Sequence, residues 1–363
     1  MSALHVAMLA PIKRPLLPDT TVSRLRVIVD LVSGLLKKGH KVTIFATNDS
    51  VFPGAEIIGI APKGLNFMPP PENEFYQHTS YLTLMIADMV KRQGSFDIIH
   101  NHMYPEYLPL LALSSLKTPL LTTVHSQMVS ETASVLRAFP QAQLVAISQM
   151  AKRLSGREMH VVHNSVDVDL FTPSQGAKDY LLCVGRMSKA KDAQGNYLDP
   201  KGIGTAIKVA QMTGERLKIV GNVEDPKFFE TLVKPHLNDN IEFIGKVASE
   251  QTLTRVQMVE LFKGAKAFIN AINWEEPFGL VMAEALACGT PVVAFDRGAV
   301  SEIVVDKKQG FVINPVLGVE GLVSAVKNIS TINRQDCRDH AVKHFSTARM
   351  VDEYEALYEM LTN

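Results

Sequence analysis

Twice along the chain, short apolar runs alternate with stretches whose apolar residues recur every three to four positions. The first half carries LHVAMLA, KVTIFAT, FDIIHNH, PLLTTVH, AQLVAIS and HVVHN. The second carries YLLCVG, ERLKIVG, IEFIGKV, AKAFINA, TPVVAF and GFVIN. Runs that are apolar throughout, rather than at alternate positions, belong to strands covered on both faces. Between them lie amphipathic segments, such as residues 22–38 with Val22, Leu25, Val29, Val32 and Leu36. That segment closes in KKGHKV, a cationic last turn followed by a glycine that ends it. Strand and helix in alternation predict an α/β fold, parallel sheets with helices on both sides. The scheme runs twice, so two Rossmann-like domains are expected, residues 1–172 and 173–346, joined near DLFTPSQGAKDY and facing across a cleft.

Length agrees with this, since 363 residues exceed what one ordinary core organises. A content of 46% hydrophobic and 20% charged residues is that of a globular protein. The formal net charge is zero, which gives no ground for expecting nucleic acid or an anionic membrane as a partner. Cys183, Cys288 and Cys337 are odd in number and lack metal-binding spacing, so they read as reduced thiols. No run approaches a membrane span, and the apolar start is short for a signal peptide. The expected location is the cytoplasm.

Ligands of open parallel sheets collect beyond the carboxyl ends of the strands. The unusual residues stand there. His125 follows TTV, Arg186 follows YLLCVG, Asn222 follows LKIVG, and Glu276 follows AFINAINW. The last of these opens NWEEPFGLVMAEALACGTPVVAF, where Glu276 precedes a short apolar helix and Glu284 sits inside it. A helix beginning near Gly279 offers free amides and the positive end of its dipole to an anion such as a phosphate. Arg186 and Lys201 add positive charge. Carboxylates would repel a diphosphate, so Glu276 and Glu284 are expected to accept hydrogen bonds from hydroxyls. Glu284 lies roughly 7.5 Å along the helix from Gly279. Hydroxyls on either side of a diphosphate describe a nucleotide sugar. The spacing alone also fits two solvated carboxylates capping a core helix.

The stretch EEPFGLVMAEALACGTPVVAFDRGAVSEIV closely resembles the E-x7-E signature of family 4 glycosyltransferases, retaining enzymes of the GT-B fold. LLCVGRM with PKGIGTAIKVA, VVHNSVDVDLF, LKIVGN, IEFIG, TTVHS and FSTARMVDEYEALY are similar to further segments of that family, so the likeness covers nearly the whole chain. The resemblance implies that Glu276 contacts the donor sugar, Glu284 the ribose, and Arg186 and Lys201 the diphosphate. Phe278, Gly279 and Leu280 would offer backbone amides, Asn222 would line the donor site, and His125 would lie beside the transferred sugar. A C-terminal helix, about residues 347–363, is expected to pack back on the first domain. Catalysis is expected from Glu276, His125, Arg186 and Lys201, with no cofactor and no metal.

The chain departs from that family's pattern in two places. The loop after the first strand, APIKRPLLPDTTVSRL, has no glycine where the family usually has a pair. Either Asp19, Thr20 and Thr21 cap the following helix with their side chains, or this region binds differently. Lys13, Arg14, Arg24 and Arg26 form a basic cluster in the same region, fitting either a solvated face or an anionic acceptor. The spacer MSKAKDAQGNYLD between Arg186 and Lys201 is long, and Lys189 or Lys191 could stand in for Lys201. On the acceptor side the candidates are Arg14, Thr20, Thr21, His102 and Tyr104, with Glu106 beside them.

Asp167–Val168–Asp169 mimics a metal-binding D-x-D, but it lies at the interdomain segment while Arg186, Lys201 and the helix start already supply positive charge, and the pair His100 and His102 lacks a nearby Cys or Glu-x-x-His partner. No GxGxxG follows the first strand, and no P-loop or GxSxG is present. The expected activity is transfer of a hexosyl group from a nucleotide diphosphate sugar, a UDP-sugar by family frequency, to an unidentified acceptor hydroxyl. The alternative is a catalytically silent nucleotide-sugar-binding protein of the same fold. A phosphorylase would require a pyridoxal phosphate lysine, and no such signature stands out.

Overall fold

The computed structural model describes residues 2–176, 178–245 and 253–363. The chain divides into two compact units, Met1–Asn164 with Thr347–Asn363, and Ser165–Ser346.

In the first unit the described strands are β1 (His5–Leu9), β2 (Lys41–Thr47), β3 (Glu56–Ala61), β4 (Ile98–Asn101), β5 (Leu120–Val124), β6 (Gln143–Ala146) and β7 (His160–Val161). They form one seven-stranded sheet in the order β3-β2-β1-β4-β5-β6-β7. Every pairing is parallel. Helices α1 (Ser23–Lys37), α2 (Glu74–Arg92), α3 (Ser130–Ala138) and α4 (Gln149–Ser155) connect the strands. Residues Val6 to Leu9 of β1 and all of β4 and β5 are buried, as their unbroken apolar runs require. Strand β3, EIIGIA, was not among the runs read from the sequence. It lies at the sheet edge, half exposed, and Gly59 interrupts it because a side chain there would collide with Asn48.

The C-terminal helix, Thr347–Thr362, belongs to this unit. Tyr354 and Tyr358 are fully buried, with the Tyr354 hydroxyl 2.9 Å from Thr123 Oγ1 and the Tyr358 hydroxyl 2.6 Å from His100 Nδ1. At the end of α1, Lys38 Nζ donates to Asp352 Oδ1 at 2.5 Å and also to Glu355. His40 Nε2 lies 3.0 Å from the same Glu355 carboxylate.

The second unit holds β8 (Tyr180–Val184), β9 (Arg216–Val220), β10 (Ile241–Ile244), β11 (Ala265–Asn270), β12 (Val292–Phe295) and β13 (Gly310–Ile313). Its described strands form a six-stranded parallel sheet, β10-β9-β8-β11-β12-β13. Its helices are α5 (Ile203–Thr213), α6 (Pro226–Phe228), α7 (Arg255–Gly264), α8 (Leu280–Ala287), α9 (Val300–Ile303), α10 (Gly318–Lys327) and α11 (Arg334–Phe345). The expected strand IEFIGKV is β10 over its first four residues, while Lys246 and Val247 lie outside the described residues.

The boundary between the units falls at 164/165, before the expected 172/173, because the intervening segment is bonded into the second unit. Val166 N donates to Phe345 O at 2.7 Å. Arg338 reaches the Phe171 and Val168 carbonyls at 2.6 and 2.8 Å.

Strand order reverses direction at β1/β4 in one sheet and at β8/β11 in the other. Loops leaving neighbouring strands at such a reversal diverge and open a crevice at their carboxyl ends. Arg186, Lys201 and Glu276 all follow β8 or β11.

Candidate active site

The chain between Arg186 and Lys201 folds back on itself. Lys191 and Tyr197 form an antiparallel bridge, and Leu198 N donates to Ala190 O at 3.1 Å. The Tyr197 hydroxyl anchors this excursion to Asp225 Oδ2 at 2.8 Å, and Lys191 Nζ rests 4.4 Å over the Tyr197 ring. The chain then returns to the sheet through Asp199, whose carboxylate caps α5 by accepting the amides of Ile203 and Gly204 at 3.0 and 2.8 Å. Burial nevertheless pushes the Asp199 carboxyl up from its ordinary range, against those hydrogen bonds.

Asn273, in the loop after β11, ties the two loops together. Its amide N donates to Pro200 O at 2.9 Å and its Nδ2 to Asp199 O at 3.0 Å. The result is a close pair: Lys201 Nζ donates to Glu276 Oε2 at 2.6 Å. The same ammonium stands 4.7 Å over the ring of Trp274, the chain's single tryptophan. The Lys201 and Glu276 side chains keep 20% and 15% of their surface exposed, enough for a ligand to reach them. Lys191 is held at Tyr197 instead, so of the lysines after Arg186 it is Lys201 that the fold brings to Glu276.

Glu276 is held by its backbone as well. Ala299 N donates to its carbonyl at 3.0 Å. Gly298, at φ +62°, lies beneath it, where a Cβ would stand 2.3 Å from both Glu276 N and O. Only glycine fits there. Helix α8 begins three residues past Pro277, with Gly279 at φ +97° as its N-cap. No side chain caps that end and no acidic residue stands in its first turn, so the protein leaves the dipole uncompensated. Phe278 and Leu280 flank Gly279 and are buried. Glu284 is 2% exposed, set among the fully buried Met282, Ala283, Ala285 and Leu286. Arg186 is 60% exposed and meets Glu224 only at 3.4 Å. Asn222, in the loop after β9, accepts the amide of Met187 through its carbonyl at 2.8 Å.

In the first unit, the loops after β4 and β5 are locked by one buried carboxylate. Glu106, 2% exposed, accepts the amides of His125 and Ser126 at 3.1 and 2.9 Å and the Ser126 hydroxyl at 2.8 Å. Arg24 of α1 pairs with it at 2.8 Å and also donates to Met103 O at 2.9 Å and Ser126 Oγ at 2.8 Å. Glu106 and Arg24 are thus occupied in holding His125, and the acceptor-side placement suggested for Glu106 gives way to a clamp. The Arg24 guanidinium also lies 5.1 Å over the half-exposed ring of Tyr104. The basic cluster of the sequence is only partly kept, with Arg24 and Lys13 at the one ring of Tyr104. Lys13 faces Tyr104 at 6.0 Å, Arg14 faces Phe67 at 5.4 Å, and Arg26 is buried.

His102 has no exposed surface, and its Nδ1 lies 2.7 Å from Nε2 of His125, which is partly exposed. Burial pushes His102 down to about 3, helped by the Arg24 charge, and burial likewise lowers His125 well below the imidazole range. Asp19, Thr20 and Thr21 lie ahead of the N-cap of α1 rather than at it. The helix starts at Ser23 with Val22 as an N-cap that makes no side-chain bond, and Thr20 Oγ1 only accepts Val22 N at 3.4 Å. Asp167 Oδ1 accepts the amides of Asp169 and Leu170, so this carboxylate closes a turn. Among the described residues no three His, Cys, Asp or Glu side chains are grouped as a metal site.

The sequence pointed to Lys201, Glu276 and His125 through their places after strands. It did not point to Trp274 over the lysine or to the roles of Arg24 and Glu106. The one signal for Trp274 was its position two residues before Glu276.

Two parallel α/β sheets, each reversing at its centre, with charged loops at the reversal, define the GT-B glycosyltransferase architecture. Sucrose-phosphate synthase from Thermosynechococcus elongatus superposes with a TM-score of 0.78 at 18% identity, covering 99% of each chain. The Anabaena protein HepE in complex with UDP and glucose superposes with a TM-score of 0.71 at 16% identity, covering 98% of this chain and 99% of its own. In sequence, residues 172–344 match the family described as glycosyl transferases group 1, and residues 26–170 match glycosyltransferase family 4. The chain belongs to these group 1, family 4 glycosyltransferases. A curated relative, spore coat protein SA of Bacillus subtilis, is 21% identical over 98% of this chain and 99% of its own length.

Proposed function

We propose that the protein transfers a hexosyl group from a nucleotide diphosphate sugar, with a UDP-sugar as the preferred donor, to an acceptor hydroxyl with retention at the anomeric carbon. The observation that carries this reading is the Lys201–Glu276 pair beside the uncapped start of α8. One cation, one carboxylate and one helix dipole meet where strand order reverses. HepE, of the same fold, is described with UDP and glucose bound, and that supports the choice of donor.

In this reading the diphosphate lies against Lys201, Arg186 and the first amides of α8, which stabilise the charge that develops as the glycosidic bond breaks. This charge set serves in place of a metal ion. Glu276 accepts a hydroxyl of the sugar and offsets positive charge growing at the anomeric carbon. Glu284 accepts from the ribose. The bond from the anomeric carbon to the phosphate oxygen breaks, a bond to the acceptor oxygen forms on the same face, and the acceptor's proton passes to the leaving phosphate. No carboxylate nucleophile is assigned.

The test is incubation of the full chain with UDP-, GDP- and ADP-sugars, alone and with candidate alcohol acceptors, following release of the nucleoside diphosphate. Turnover with one donor class and an axial product linkage from an axial donor is the expected result. Tight binding without release in any mixture would mark a silent binding protein and overturn the assignment.

A further inference from the structure

The rings of His102 and His125 meet through Nδ1 of the first and Nε2 of the second, 2.7 Å apart. Only one of these nitrogens can carry the shared proton, and the surroundings decide which. The other nitrogen of His102, Nε2, is buried and has no hydrogen-bond partner among the described residues. An N–H at that place would be a buried donor left without an acceptor, which proteins leave orphaned more rarely than an acceptor. The proton of His102 therefore sits on Nδ1 and is donated to His125 Nε2. His125 is neutral, so its own proton must sit on Nδ1, which has no partner among the described residues.

We propose that His102 is a positioning residue that fixes His125 as the Nδ1–H tautomer, so that the loop after β5 offers the ligand a neutral hydrogen-bond donor. This rests on the proposed transfer for the identity of the ligand, a substrate of that reaction, but not for the tautomer itself.

The rest of the neighbourhood serves the same end. Glu106 holds His125 by its backbone amide and leaves the ring free to be set by His102. His100, its ring centroid 4.0 Å from that of His102, is engaged on both nitrogens by Tyr358 and Thr123. Tyr354 of the C-terminal helix, its ring centroid 6.5 Å from that of His102, has its hydroxyl hydrogen-bonded with Thr123 Oγ1. Neither His100 nor Tyr354 is thereby left to meet His102 Nε2. His102 has no exposed surface, so it acts on a ligand only through His125.

The experiment uses the full chain with 15N-labelled histidine, His102→Phe, which keeps an aromatic ring but no donor, and His102→Asn, whose Nδ2 can donate from near the place of the native Nδ1. The wild type should show His125 protonated at Nδ1 with a bare Nε2 across neutral pH. In His102→Phe that pattern should be lost, and kcat should fall roughly 10–100-fold, as when the partner orienting a metal-binding imidazole is removed. Acceptor KM should change little, and His102→Asn should recover both the tautomer and most of kcat. A wild-type His125 protonated at Nε2 would overturn the proposal, and so would unchanged kcat in His102→Phe. If His102→Phe does not fold, the wild-type spectrum and His102→Asn decide alone. Absence of turnover in the wild type with every donor would sink the transfer reading while leaving the tautomer assignment to be judged by its spectrum.

Discussion

Arg186 and Lys201 follow the same strand, yet the fold treats them differently. Lys201 is paired at 2.6 Å and sheltered, whereas Arg186 is mostly exposed with one contact at 3.4 Å. An exposed guanidinium of this kind has little to lose inside the protein and two donors to give a phosphate. Arg186→Ala should therefore lower kcat/KM by about 2–4 kcal/mol of transition-state stabilisation, the scale of removing one preorganised donor. Arg186→Lys should recover only part, and nucleoside affinity should not move. Equal transfer rates in all three proteins would show that Arg186 only closes a strand end. The two glutamates also separate. Glu284→Ala should weaken nucleotide binding, because contacts to the ribose are the same in ground and transition states, whereas Glu276→Ala should mainly lower kcat. Intact donor affinity in Glu284→Ala with a turnover defect would reverse that assignment. Glu276, Glu284 and Lys201 could be picked out in the sequence because carboxylates and a lysine are conspicuous beside apolar strands and helices. Glu106 and Arg24 were harder to place, because their roles depend on three loops far apart in sequence meeting at one carboxylate.

Helix α8 depends at its far end on a residue nearly 60 positions from its start. Arg338 of α11 donates to Ala287 O at 2.9 Å, the last residue of α8, and to the Phe171 and Val168 carbonyls. Arg338→Ala removes charge-assisted bonds to three carbonyls and leaves partly buried acceptors unmet. A loss of about 2–4 kcal/mol in unfolding free energy is expected in urea titrations, with Arg338→Lys intermediate. A change within experimental error would mean that these carbonyls find other donors. At this scale the sequence was most legible. The expected helix over residues 22–38 is Ser23–Lys37, and the strand KVTIFAT is β2 residue for residue. Edge strand β3 escaped because an exposed strand interrupted by glycine has neither the unbroken apolar run of a central strand nor clean alternation. The loop after β1 could be seen to lack glycine. That α1 would then begin without a side-chain cap was not visible, since cap formation depends on backbone angles that residue types do not determine.

At the scale of the molecule, the paired parallel sheets followed directly from the alternation, and the family match spans both halves of the chain. What the alternation does not carry is the pH response stored in the first unit. His100 and His102 have no exposed surface, and burial holds both imidazoles well below their ordinary range. The folded rings stay neutral, while in the unfolded chain they take up protons below about pH 6.5. The unfolded state then binds more protons, so this stability is present above that pH and is lost as pH falls beneath it. With His125, which burial lowers as well, three such rings approach roughly 4 kcal/mol per pH unit between pH 6 and 5. Urea unfolding at pH 7.5, 6 and 5 should show the slope, and His102→Asn should reduce it by about a third. A flat profile in the wild type would mean that water reaches these rings.

The central claim, that a nucleotide sugar binds at Lys201 and Glu276, can be read from the protein's own fluorescence. The single tryptophan, Trp274, has its ring 4.7 Å from Lys201 Nζ. Titration of wild type and Lys201→Ala with UDP-glucose, GDP-mannose, ADP-glucose and uridine measures the midpoint for each. One nucleotide sugar should give a saturable change in the wild type, with a midpoint raised about tenfold or more in Lys201→Ala, the loss of a charge-assisted phosphate contact. Uridine, which has no phosphate, should bind the two proteins alike. A wild type silent to all three sugars, or the same midpoint with and without the lysine, would contradict the account.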